Sequence, residues 1–176
     1  TVLKLKDNIH LKSCLLCEEN SYLYIISDIG RIIKIKITKE IFPCMGKLAQ
    51  GTNLMRLFPG ENIINSINIK EQKNEDLVLI TNKGFFIKYN TNEIKISQKG
   101  ELGMMGIDLK DNNKINERVI NCFISNKFVY IKINEERYEK LEINQIDTSS
   151  YKKEKKLNIK LNENEFIKST FSIIMP

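Results

Sequence analysis

The sequence predicts an all-β fold: a propeller-like array of about three to four four-stranded blades. Three observations carry that expectation. Leu5, Leu57, Leu109 and Leu161 recur at a fixed spacing of 52 residues, and flanking apolar positions keep the register, as in Leu11, Ile63, Ile115 and Ile167. Each period holds short runs of alternating, β-branched residues broken by a turn, which is the pattern of a hairpin. No long stretch shows a helical period. A fixed period in this range marks a stacked or radial repeat, and four short strands per period is the size of a propeller blade. A sandwich would not need its strands to repeat in register.

The elements follow in chain order. Residues 1–17 contain the first copy of the leucine-bearing segment, LKLKDNIHLKSCLLC (3–17), and read as the end of a blade. Residues 22–69 read as a full blade. Tyr22–Ser27 and Arg31–Ile37 form its hairpin around Asp28-Ile29-Gly30, with Ile33, Ile35 and Ile37 alternating with Lys34 and Lys36. Residues 77–124 repeat the scheme, with Leu77–Thr81, the turn Asn82-Lys83-Gly84, and Phe85–Tyr89. Residues 127–174 give an eroded third copy, Phe128–Ile133 and Arg137–Ile143, in which Glu136 stands where the turn glycine is expected. A different turn type is expected there. The leucine-bearing segments bend at Pro59-Gly60, at Asp111-Asn112-Asn113 and at Asn162-Glu163-Asn164.

Composition narrows the function. The chain has 176 residues, 41% of them hydrophobic and 28% charged, enough for a core and unlike a disordered chain. Lys and Arg number 28 against 22 Asp and Glu, a net charge of +6, which biases the chain toward polyanionic partners. Four cysteines in no dense framework suggest a reducing compartment. No apolar run approaches the ~18–20 residues that span a membrane. The chain begins at Thr1 and reads as a piece of a longer polypeptide.

Catalytic chemistry finds little support. His10 is the single histidine, set in what reads as an alternating strand, so no histidine-based triad or metal cluster can be built around a second one. Cys14 and Cys17 have CxxC spacing, but three residues apart in a strand they point to opposite faces and could not share a zinc ion. No P-loop is present.

The basic residues recur with the repeat. Lys34, Lys88 and Lys140 occupy matching positions in three successive hairpins, on the face opposite the alternating apolar residues. The loops that follow are basic too, with Lys47, then Lys99, then Lys152, Lys153, Lys155 and Lys156. Radial repetition would spread these along an arc suited to a duplex backbone. Lysine is also a common protector of sheet edges, so from the lysines alone both readings stay open.

The repeats resemble those of the C-terminal domain of the DNA gyrase A subunit and its topoisomerase IV counterpart. The resemblance rests on Ser27-Asp28-Ile29-Gly30-Arg31, Ile35-Lys36-Ile37, Gly46-Lys47-Leu48-Ala49-Gln50-Gly51 and Gly60-Glu61-Asn62-Ile63, with residues 77–110 fitting a second repeat. It implies a β-pinwheel, a propeller whose blades exchange strands, that binds and bends double-stranded DNA for a type IIA topoisomerase. It further implies no active site and no cofactor in this domain, partnership with the rest of an A subunit and with an ATPase subunit, and no membrane. The implied location is cytoplasmic and nucleoid-associated, or an organelle of bacterial origin. The DNA-facing set would be Arg31, Lys34, Lys36, Lys47, Arg56, Lys83, Lys88, Lys99, Lys140, Lys152, Lys153, Lys155 and Lys156. Gyrase-type domains carry a basic box resembling Q-R-R-G-G-K-G, and the nearest match is Gln98-Lys99-Gly100-Glu101-Leu102-Gly103, with Glu101 and Leu102 in place of positive charge or glycine. The alternatives are a propeller-like protein-interaction scaffold whose lysines only solubilise it, and a domain that keeps the fold but has lost wrapping.

Overall fold

The computed structural model describes residues 5, 7, 9–46, 49–70, 75–109, 116–125, 128–135, 137–143, 155–156, 161–162 and 165–171. These form three antiparallel sheets. The strands are β1 (Tyr22–Ser27), β2 (Arg31–Lys36), β3 (Ile63–Ile69), β4 (Asp76–Thr81), β5 (Phe85–Asn90), β6 (Met104–Met105), β7 (Val119–Ile124), β8 (Phe128–Ile133), β9 (Arg137–Glu142), β10 (Lys155–Lys156) and β11 (Ile167–Phe171). The sheet orders are β3-β1-β2-β6, β10-β5-β4-β7 and β11-β8-β9. A 3₁₀ turn spans Thr91–Glu93.

All three hairpins form where the alternation places them, β1 with β2, β4 with β5 and β8 with β9. Gly30 (φ 86) and Gly84 (φ 81) make the first two turns. In the third, Asn134 takes the left-handed conformation (φ 54), a position asparagine tolerates better than most residues. The segment around Cys14 and Cys17 corrects an expectation: residues 9–18 belong to no strand and, apart from half-buried Ser13, are exposed, so the strand argument against zinc does not apply. No group of metal-holding side chains occurs among the described residues.

The fourth strand of each complete sheet comes from the following repeat. After β5 the chain runs back along β2, with Ser97 N donating to Lys34 O at 2.7 Å, and then pairs Met104 and Met105 with Ile32 and Arg31. In the same way Lys155 and Lys156 pair with Phe86 and Phe85. Residues 22–69 therefore supply three of the four strands of their sheet. Neighbouring repeats are also tied at their turns, where Val119 N reaches Asp28 O at 2.8 Å and Ile167 N reaches Asn82 O at 2.9 Å. Along the inner strands, Asn65 Nδ2 donates to Asn121 Oδ1 (3.1 Å) and Asn121 Nδ2 to Thr170 Oγ1 (2.8 Å), linking all three sheets.

The core lies between and beside the sheets. Tyr24, Ile26 and Ile32 pack with Leu77, Leu79, Ile87 and Tyr89 between the first two sheets. Val78, Ile80 and Phe86 pack with Val129, Ile131 and Ile133 between the second and third. Leu23, Ile25, Ile33 and Ile35 pack with Met55 on the far side of the first. Sheets one and two are thus buried on both faces, which is why β1 and β4 read as continuous apolar runs rather than alternating ones. The third sheet has one buried face: Val129, Ile131 and Ile133 point inward while Tyr138, Lys140 and Glu142 are exposed. The alternation of a half-solvated sheet runs along β9, with polar Glu139 on its half-buried side where an apolar member of the repeat is missing.

The 52-residue register needs one correction. Ile63 pairs with Ser27, Val119 with Thr81 and Ile167 with Ile133. The counterpart of Ile63 in the second repeat is therefore Val119 rather than Ile115. That repeat carries four additional residues before its inner strand and correspondingly fewer after it.

Gly103 is fixed by the strand exchange. Its φ is +75, and a Cβ would meet Ile32 O at 2.5 Å. Gly60 shares the left-handed conformation (φ +78) but faces open space. Gly60→Ala is expected to lose the ~1–2 kcal/mol of left-handed strain alone. Gly103→Ala should lose clearly more, because the exchanged strand must also move away from β2. Urea midpoints for the two variants check this, and equal losses would show that the close approach does not matter.

Candidate nucleic-acid interface

Thirteen basic positions enter the structure with different fates. Arg31 and Lys34 are buried, at 3% and 6% exposure, and this corrects their placement on an exposed rim. Arg31 Nε donates to Glu61 Oε1 at 2.9 Å and its Nη2 to Glu61 Oε2 and to Arg56 O. Nη1 donates to Leu102 O at 2.5 Å, and the guanidinium lies 4.4 Å from the Phe58 ring. Burial raises the pKa of Glu61, but hydrogen bonds from Arg31, the Phe58 amide and Ser27 outweigh it and hold the carboxyl below its ordinary value. The Gly30-Arg31 and Gly60-Glu61 motifs are thus two halves of one buried ion pair.

Lys34 lies between the first two sheets. Its Nζ donates to Thr91 O at 2.9 Å and sits 4.6 Å from the Tyr22 ring, and burial lowers its pKa. Alternation placed it on a solvated face, but that face is covered by the next repeat. Its counterparts grow more exposed along the chain. Lys88 is mostly buried and paired with Asp76 at 2.9 Å, whereas Lys140 is exposed, with Nζ 3.7 Å from the Phe128 ring. The three matching lysines do not form one uniform exposed arc.

Lys36 and Lys83 are half-buried, against Tyr22 (5.9 Å) and Phe166 (4.2 Å) respectively. Arg56 and Lys99 are exposed. Lys155 and Lys156 are placed by the backbone of β10. Lys47, Lys152 and Lys153 lie outside the described residues.

The strand exchange brings Arg56 and Lys99 into one neighbourhood. Arg56 N donates to Glu101 O at 2.9 Å, and Gly100 N to Leu54 O at 2.9 Å, so residues 54–56 lie alongside the box-like segment 98–103. A groove of about 510 Å³ opens there, lined by Arg56, Lys95, Ser97, Gly100, Glu101 and Gly103. Lys99 adjoins it in the turn. Two cations, Arg56 and Lys95, thus share the groove lining with one carboxylate, Glu101. Lys95 and Arg118 are exposed cations that the sequence reading did not single out. Lys95 follows buried Ile94, but Ile96 beyond it is 57% exposed, so no alternation in the sequence marks Lys95.

This chemistry suits an anionic backbone: cations held on a rigid sheet edge beside exposed backbone at a Gly-rich turn. Comparison with known proteins bears on what that backbone is. The profile of the DNA gyrase C-terminal domain, a β-propeller, matches residues 21–70 and 75–126. Among solved structures, the C-terminal domain of DNA topoisomerase IV aligns with a TM-score of 0.78 at 20% identity, covering 97% of this chain and 52% of that one. The E. coli ParC C-terminal domain aligns with a TM-score of 0.61 at 16% identity, over 80% of this chain and 56% of that one. A DNA gyrase A C-terminal domain aligns with a TM-score of 0.59 at 14% identity, over 73% and 40%. The chain spans about half the length of the solved domains that it matches. At these identities the structural likeness shows the fold. No curated protein sequence matches the chain.

Proposed function

The chain belongs to the DNA gyrase C-terminal domain family, and from that premise we propose that it binds and bends duplex DNA without reading its sequence, as an accessory domain of a type IIA topoisomerase A subunit. The observation that carries the proposal beyond the family is the groove beside residues 98–103, where strand exchange gathers Arg56, Lys95 and Lys99 on one exposed edge. Lysine and arginine there would neutralise phosphates and release counterions, which supplies affinity at any sequence. Bending a 20–30 bp site smoothly costs on the order of 1–6 kcal/mol, offset by the added backbone contacts. Strand cleavage and ATP hydrolysis would fall to the rest of the A subunit and its ATPase partner. The domain would need no cofactor of its own and would work wherever the DNA is held.

Fluorescence anisotropy with ~40 bp duplexes of unrelated sequence tests this. Affinity is expected to be similar across sequences and to fall steeply between 50 and 200 mM salt, by about 0.9 log unit per decade of salt for each phosphate contacted. No binding at low salt would favour a protein-interaction scaffold. Binding insensitive to salt would also overturn the proposal.

A further inference from the structure

The buried ion pair of the first sheet has a counterpart in the third and a gap in the second. Glu61, Glu117 and Glu165 each stand two residues before an inner strand, β3, β7 or β11. Glu61 holds Arg31, and Glu165 holds Arg137 through Nη1 at 3.0 and 3.1 Å. Each of these carboxylates also accepts the amide three residues before it, Phe58 N or Asn162 N, at 2.8 Å. Each arginine directly follows its hairpin turn, as the first residue of β2 or β9. The matching first residue of β5 is Phe85, whose side chain carries no hydrogen-bond donor. Glu117 is nevertheless 1% exposed, and its Oε1 has no hydrogen-bond partner among the described residues.

The missing arginine matters for strand exchange. In the first sheet one guanidinium spans the carboxylate of its own repeat and Leu102 O, two residues before β6, so it fastens the borrowed strand. A charge-assisted hydrogen bond of this kind is among the stronger ones in a protein. The second sheet borrows β10 against Phe85 and Phe86 without that fastener. It also buries a carboxylate oxygen that has no hydrogen-bond partner among the described residues, and an unmet buried polar atom is costly.

We propose that the second sheet is the built-in opening point of the fold: β10 detaches from β5 while β6 stays on β2. Among the described residues no ion pair joins β10 to β5, and detachment would open the surroundings of Glu117 to water. It frees the backbone of residues 155–156 from the edge of the sheet. The proposal concerns the fold and does not depend on DNA being the ligand.

Native-state hydrogen exchange of the whole chain reads it. The amides of Phe85, Phe86, Lys155 and Lys156 are expected to exchange at least tenfold faster than those of Arg31, Ile32, Met104 and Met105. Phe85→Arg supplies the absent partner and should slow exchange at β5 and β10 by tenfold or more. Adding Glu117→Gln to Phe85→Arg should abolish most of that gain. Equal protection of the two edges in the unaltered chain, a measurement that needs no variant, would overturn the proposal. So would a Phe85→Arg gain that survives Glu117→Gln, because the slowing would then not pass through the carboxylate.

Discussion

Glu61→Ala is expected to lower the stability of the chain by about 3–5 kcal/mol, the usual cost of leaving half of a buried ion pair behind. The side chains of Arg31 and Glu61 are 3% and 1% exposed, so water cannot replace the lost partner. The substitution strips Arg31 of two hydrogen bonds and the Phe58 amide of its acceptor. It also loosens the guanidinium that fastens Leu102 and, through it, β6. Urea unfolding of Glu61→Ala, Arg31→Met and the double variant Arg31→Met/Glu61→Leu tests the cause. If the loss is the burial of an uncompensated charge, the double variant should be much less destabilised than the two single losses added together. Additive losses would mean that the two residues act independently. The pair also sets an acid dependence. Glu61 is held below its ordinary pKa, so its contribution is fully present above the unfolded carboxylate value and is lost as pH falls through the folded one. Unfolding at pH 7 and near pH 3 should show this loss in the unaltered chain, and Glu61→Ala should lack that part of it.

The motif residues of this pair were legible in the sequence, but their role was not. Gly30-Arg31 and Gly60-Glu61 stood out as matches to the family's motifs, and a surface arginine was the natural reading in a basic chain. The better clue was correlated: where Arg31 and Arg137 keep the arginine, Glu61 and Glu165 keep the acid, and only the second repeat breaks the match at Phe85. Hairpins were readable almost to the residue because β-branched alternation and turn glycines act locally. Strand exchange was not readable from the strands themselves, since β6 is two methionines in a Gly-rich stretch with no pattern to announce it. Lys34 failed for a related reason. Period-two alternation says which residues share a face and nothing about what covers that face. In sheets packed on both sides, the polar member of the alternation is enclosed along with the apolar ones, and here Thr91 O and two tyrosine rings accommodate it. The four-residue displacement of the second repeat escaped because Leu109 and Ile115 kept the 52-residue beat in sequence while the structure pairs Val119 instead.

The same separation of enclosed from exposed cations decides where DNA contact should be tested. The triple variant Arg56→Glu, Lys95→Glu, Lys99→Glu is expected to bind a ~40 bp duplex up to about 500-fold more weakly at 0.1 M salt. That figure follows if each residue meets one phosphate, since each contact then contributes about 0.9 log unit at that concentration. The slope of log affinity against log salt should shrink by about 2.7, a change that a purely structural defect would not produce. All three side chains are exposed, so urea midpoints should move little, as is usual for surface substitutions. Lys34→Glu should behave in the opposite way, because it would bury a carboxylate against Thr91 O with no donor to meet it. Its effect should appear in the unfolding curve, and any folded fraction should keep the salt slope of the unaltered chain. An unchanged slope in the triple variant would remove the groove from the contact path. Attention would then turn to Lys140 and Arg118, two of the exposed cations on other parts of the surface.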